Sequence, residues 1–139
     1  MNILFFLTPK KNLDYVYRDN TVRQIIEKMQ IHRFSVIPVL NEDGTYYSTI
    51  SNGDILRFIY ECNFDKEVAE SKHFKDISLH RPYKALSIDA KIEEILEEAT
   101  NQNFIPIVDD RNIFIGIVRR RDIIKYYIEM INKNEKSAK

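Results

Sequence analysis

Three arginines, Arg119, Arg120 and Arg121, stand in a row before Asp122 in the stretch "IVRRRDII". Each guanidinium is permanently charged and carries five N–H donors in a planar fork. Such a run is either a solvated charge patch or a grip on an anion, and phosphate suits the fork well. Asp122 adds acceptors, and a carboxylate at this place can cap the first turn of a helix. Consecutive side chains diverge where a strand turns into a helix. One or two of the arginines are therefore expected to face a cleft, and at least one to be solvated or paired.

Other chemistries find little footing. The chain has three glycines, Gly44, Gly53 and Gly116, so neither a Gly-x-Gly-x-x-Gly turn nor a Gly-Lys-Ser/Thr phosphate loop can be built. His32, His73 and His80 have no metal-ligand spacing with one another or with Cys62. His73 and His80 read as surface residues in a polar connector. Cys62 reads as a small buried apolar group rather than a nucleophile. No carboxylates stand out as an acid–base couple, so the sequence argues for no enzyme, no metal and no required cofactor. Basic and acidic residues number 21 each. A net charge of zero speaks against a nucleic-acid partner, which needs a basic excess to neutralise phosphates. A single cysteine rules out a disulfide framework and fits a reducing compartment. The apolar "NILFFL" near the N-terminus ends at Thr8-Pro9 and is far too short for a bilayer. The expectation is a soluble, cytoplasmic protein with no membrane partner.

The elements that must position the arginines are written twice. "IPVLNEDGTYYSTISNGDILRFIYE" (37–61) aligns without a gap on "IPIVDDRNIFIGIVRRRDIIKYYIE" (105–129). Pro38 falls on Pro106, Asp54 on Asp122 and Glu61 on Glu129, a constant offset of 68. Upstream, "YRDNTVRQIIEKM" matches "SIDAKIEEILEEA" at an offset of 70. Each copy starts with an extended piece, residues 15–17 or 86–88. An amphipathic helix follows, with Val22, Ile25, Ile26 and Met29 spaced like Ile92, Ile95, Leu96 and Ala99. Asp19 or Thr21, with Gln24, is the expected cap of the first helix and Asp89 that of the second. Two strands come next, joined at 41–45, where Asp43-Gly44 signals a turn, and at 109–112. A last helix closes each copy, its buried stripe expected to begin with Ile55, Leu56 and Ile59 or with Ile123, Ile124 and Tyr127. The fold class is thus α+β (α/β), two pseudo-twofold-related β-α-β-β-α units packed sheet to sheet. One unit of roughly 50 residues is marginal alone, and two share a core and leave clefts where they meet. Repeat 1 is placed at 8–62, repeat 2 at 75–131, a connector near 62–82 and a frayed polar tail at 132–139.

With these marks in place the chain resembles a tandem pair of CBS domains, the Bateman module. The marks are the helix starts, the Ile-Pro strands, the Asp-Gly turn and a signature, roughly Gly-x-x-Ser/Thr-x-x-Asp, before the last helix. The first copy reads "STISNGD", with Ser48 in place of the glycine. The second reads "GIVRRRD", with Arg119 in place of the hydroxyl. The resemblance extends to stand-alone bacterial CBS-pair proteins, among them the cyclic di-AMP-binding subgroup. It implies an adenosine-containing ligand (AMP, ADP, ATP, S-adenosylmethionine or cyclic di-AMP), a homodimer and an effector partner protein. It also implies sites. Asp54 and Asp122 would hold ribose or serve only as helix caps. Ser51 and Arg119, with Arg120 and Arg121, would meet phosphate. The segments Asp14, Tyr15, Val16 with Ser35, Val36, Ile37, and Lys84, Ala85, Leu86 with Phe104 and Ile105, would read adenine through main-chain groups or are plain core. Thr8 would reach a cleft from the segment leading into the repeat. A site would mix copies, base on one repeat and phosphate or ribose on the other. The alternative function is a ligand-free dimerisation and protein-interaction module.

Overall fold

Thr21 opens the first helix by reciprocal capping: Gln24 N–H donates to Thr21 Oγ1 at 3.2 Å, and Thr21 N–H donates to Gln24 Oε1 at 2.9 Å. The computed structural model that contains this helix, α1 (Val22–His32), describes residues 2–32 and 35–138; the His32 side chain and Lys139 lie outside the described residues. Val22, Ile25 and Met29 are buried, as the period predicts. Repeat 1 continues with β3 (Val36–Leu40), β4 (Tyr46–Ser51) and α2 (Asn52–Glu61), after the short β2 (Val16–Tyr17). Repeat 2 has the same order: β5 (Leu86–Ser87), α4 (Ile92–Ala99), β6 (Phe104–Val108), β7 (Phe114–Arg119) and α5 (Arg120–Ala138). Asp89 does not cap α4. Its N-cap is Lys91, with no side-chain bond, and the Asp89 N–H instead donates to Ser87 Oγ.

The two copies repeat one another's bonds, within each copy and between them. Asn52 N–H donates to Ser35 O and Arg120 N–H to Asn103 O, both at 2.9 Å. Tyr46 N–H donates to Asn112 O at 3.0 Å and Phe114 N–H to Gly44 O at 3.1 Å. Gly44 and Asn112 both carry positive φ, 89° and 63°, at equivalent places in the two hairpin turns. One sheet runs β2-β3-β4. The other runs β1-β7-β6-β5, because the N-terminal strand β1 (Leu7–Pro9) lies antiparallel to β7 of the second repeat. Thr8 faces Ile117 and Pro9 faces Gly116 in that pair. A Cβ on Gly116 would stand 2.2 Å from the Thr8 carbonyl oxygen. Ser48 is tolerated at the matching position of β4, which ends its sheet.

Each repeat has its own apolar core, and a third cluster joins them. Leu40, Phe104, Phe114 and Ile117 are buried between residues of both copies, with Leu13, Tyr15, Tyr17, Val36, Tyr46 and Tyr83 packed around them. Ile3 and Phe6 seal the second repeat's core from the N-terminal side. The connector is less polar than expected. It contains α3 (Lys66–Ser71), and Ala69, Phe74 and Ile77 are buried in the first core, with Cys62 half-buried against it. His73 and His80 are exposed. The stripe on the last helices is rotated from expectation: Ile55 and Ile123 are buried, whereas Leu56 is 64 % exposed and Ile124 51 %. The expected tail continues α5 as helix to Ala138. Among the described residues no helix is long and apolar enough to cross a membrane.

Candidate functional site

β7 ends at Arg119 and α5 starts at Arg120 without a linker, so the arginine run bends around the top of the second sheet. It lands opposite the first repeat. A cleft of about 630 Å³ is lined by Asn12, Leu13 and Asp14, by residues 35–38 at the start of β3, by Asn103 and Phe104, and by Ile117, Arg119, Arg120, Arg121 and Ile124. The site therefore mixes copies. Ile37, Val36 and Phe104 give it apolar surface from the strand starts, and the cations come from repeat 2.

The three arginines divide their work. Arg120 Nε donates to Ala99 O at 2.6 Å and Nη1 to Asn103 Oδ1 at 3.1 Å, at the C-terminus of α4, where a cation meets the helix dipole favourably. Among the described residues no hydrogen bond or ion pair engages the guanidinium of Arg119 or Arg121. Arg119 also replaces the hydroxyl that caps the equivalent helix in repeat 1, and a guanidinium cannot accept a bond from the helix amides.

That equivalent helix is closed on itself. Ser51 Oγ accepts from Asp54 N–H at 3.1 Å, and Asp54 Oδ2 accepts from Ser51 N–H at 2.9 Å. Asp54 Oδ1 takes Arg57 Nη2 at 2.6 Å and His80 N–H at 2.9 Å. Asp54 is 2 % exposed, and neither it nor Ser51 lines the open cleft. Of the readings open to Asp54, capping is the one the geometry displays. Asp122, half-buried, lies with Thr8 in a separate shallow depression alongside Lys125, Tyr126 and Glu129.

The adenine segments divide likewise. Asp14, Ser35, Val36 and Ile37 reach the cleft with Phe104. Val16 and Ile105 do not: both belong to the repeat cores. Tyr15 packs on Tyr17 and Phe114 between the sheets, with Lys10 Nζ and Lys28 Nζ 5.1 and 5.6 Å from its ring centre. Leu86 packs against the second core, Ala85 is half-buried, and the Lys84 peptide is bonded on both sides by the Gln102 side chain. Sequence reasoning missed Asn12, Leu13, Pro38, Asn103, Ile117 and Ile124. Asn103 is the repeat partner of Ser35, so the offset alone would have found it. Ile124 was assigned to the core by its helical period, which cannot say which apolar stripe faces inward.

Comparison with known proteins fits this architecture. The CBS domain family model matches residues 6–61 and 74–129. An uncharacterized protein of Methanocaldococcus jannaschii is 27% identical, over 81% of this chain and 84% of its own. The Listeria monocytogenes CbpB protein, solved in complex with c-di-AMP, superposes with a TM-score of 0.83 at 22% identity, over 94% of this chain and 97% of its own. CBSX2 in complex with AMP gives 0.72 at 20% identity, over 93% and 97%. Two matched units, folded as a pseudo-twofold pair, make this chain a member of the CBS domain family.

Proposed function

We propose that the chain is a regulatory, non-catalytic module that binds an adenine nucleotide in the arginine-bearing cleft and signals its occupancy to a partner protein. One observation carries the reading: apolar strand starts from both repeats face the guanidiniums of Arg119 and Arg121, which no ion pair or hydrogen bond among the described residues engages. The base would lie against Ile37, Val36 and Phe104, and phosphate would meet Arg119 and Arg121. Asp122, which opens into the neighbouring depression with Thr8, would meet the ribose only where the nucleotide extends past Arg121 out of the open cleft. The cleft volume of about 630 Å³ is in the range of small-molecule sites. The AMP and c-di-AMP complexes of CBSX2 and CbpB support an adenine nucleotide as the ligand class. Among the described residues no group of three or more His, Cys, Asp or Glu is arranged to hold a metal. Thermal unfolding with AMP, ATP, S-adenosylmethionine and c-di-AMP tests the reading. A ligand at one hundred times its Kd adds about 2.7 kcal/mol; no shift with any of them would overturn it.

A second reading, a dimerisation and interaction module without ligand, draws support from the last helices. Leu56 and Tyr60 on α2, and Ile124, Ile128 and Ile131 on α5, are exposed at helical spacing. The two readings are compatible, because of these residues only Ile124 lines the open cleft, and Leu56, Tyr60, Ile128 and Ile131 lie outside it. Unchanged thermal unfolding together with a concentration-dependent dimer would leave only the second.

A further inference from the structure

The pseudo-twofold image of the open cleft, which the repeat offsets put at Pro82–Lys84, Asn103–Pro106 and Ser51–Gly53, is occupied by the chain itself. The Gln102 carboxamide bridges the lead-in peptide: Lys84 N–H donates to Oε1 at 2.6 Å, and Nε2 donates to Lys84 O and to Phe104 O, each at 3.1 Å. Gln102 is 5 % exposed. Tyr83 closes the rest. Its N–H donates to Thr49 Oγ1 at 2.8 Å, its carbonyl accepts from the Tyr46 hydroxyl, and its own hydroxyl accepts from Asn103 N–H at 3.3 Å. Its ring lies 4.8 Å from that of Phe104. The equivalents of Tyr83 and Thr49 in the open cleft are Leu13 and Ile117, which offer no side-chain bond of this kind. By strand offset the equivalent of Gln102 is Phe34, a residue type without donor or acceptor.

The chemistry of the plug is specific. A carboxamide presents one acceptor beside one donor, and so does the edge of adenine, where a ring nitrogen stands next to the amino group. The peptide groups of Lys84 meet in Gln102 the same pair that a base would offer. We infer that Gln102 acts as an internal stand-in for a nucleobase. The second cleft is a latent nucleotide site held shut by Gln102 and Tyr83, so the chain takes one nucleotide rather than two. This rests on the proposed function for the open cleft and adds a stoichiometry and a device to it.

The test is isothermal titration with AMP, combined with amide hydrogen exchange read at Tyr83 and Lys84. The intact protein is expected to bind one AMP per chain, with both amides protected before and after saturation. Gln102→Ala, which removes both the acceptor for the Lys84 amide and the donor to the Lys84 and Phe104 carbonyls, should lose that protection. The same variant should bind a second AMP. Two AMP per intact chain, unprotected Tyr83 and Lys84 amides, or a folded Gln102→Ala variant that takes up no additional AMP would each overturn the inference. If the intact protein binds no AMP, the reading of the open cleft fails. The latent site is then judged by whether Gln102→Ala gains one.

Discussion

Arg120 is bonded through Nε to the carbonyl of Ala99 at 2.6 Å, which ties the first turn of α5 to the last turn of α4. The middle arginine of the run is therefore part of the fold, and its neighbours are the ones left for an anion. Arg120→Ala is expected to cost roughly 1.5–3 kcal/mol in urea unfolding, the range for a hydrogen bond to a charged group. Arg119→Ala and Arg121→Ala should leave stability within about 0.5 kcal/mol, as surface changes do. Each should weaken AMP binding by roughly 1.5–3 kcal/mol in titration calorimetry. Equal behaviour of all three variants in both measurements would remove the division of labour.

The two signature aspartates should respond in opposite ways. Asp54 is buried and accepts from Ser51, Arg57 and His80, whereas Asp122 is half-buried and no such bond holds it among the described residues. Asp54→Ala strands the Ser51 and His80 amides, so a loss of roughly 1–3 kcal/mol for each group that stays unsatisfied is expected in urea unfolding. Ser51→Ala, which removes only the cap, should cost about 1 kcal/mol. Asp122→Ala should lower AMP affinity and leave the unfolding midpoint nearly in place. A stable Asp54→Ala protein with impaired AMP binding would return Asp54 to the ligand.

Glycine tells the two signatures apart in the same manner. At Gly116 an added Cβ would meet the Thr8 oxygen at 2.2 Å and Pro9 Cα at 3.1 Å, both backbone. Neither can move without displacing β1, so Gly116→Ala should destabilise by about 1–3 kcal/mol or more, the cost of overpacking. Gly53 has only Ser51 Oγ at 3.6 Å and stands in the first turn of α2. Gly53→Ala should be neutral or stabilise by up to about 1 kcal/mol through helix propensity. Paired thermal melts decide it, and a tolerated Gly116→Ala would mean that β1 does not pack against Gly116 in solution.

What the sequence displayed followed from repetition and period. The offset of 68 announced both strand pairs, both turns and the equivalence of Asp54 with Asp122, because every local signal occurred twice. It also put Ser51 and Arg119 at one position, where the first copy has a helix cap and the second a guanidinium lining the cleft. Long-range partners were not legible. Nothing in "NILFFL" says that β1 crosses to the second repeat, since a three-residue strand carries no address for its partner. Nothing in "NQNF" says that Gln102 turns inward onto Lys84, because a polar residue before a strand ordinarily faces water. The helix stripes were misread at Leu56 and Ile124 because these helices are apolar on two faces, and period alone cannot rank them.

Those second faces lead to the last expectation. Leu56 matches Ile124 and Tyr60 matches Ile128 across the repeats, so each last helix displays the same exposed apolar line. The Tyr60 ring lies edge-on to Phe64 at 5.9 Å, which broadens the patch on α2. A line that two helices of one molecule present alike is suited to a self-complementary contact between two copies, in which every residue counts twice. Burying one Ile contributes about 1.5–3 kcal/mol. Ile128→Asp therefore removes about 3–6 kcal/mol from the dimer and raises its dissociation constant roughly a hundredfold to ten-thousandfold. Ile128 does not line the open cleft, so AMP titration should be unaffected. Sedimentation velocity over a dilution series is the measurement, with a dimer expected for the intact chain and a monomer for the variant at micromolar concentration. A monomeric intact chain, or a variant whose dimer is undiminished, would show that the apolar line serves another contact.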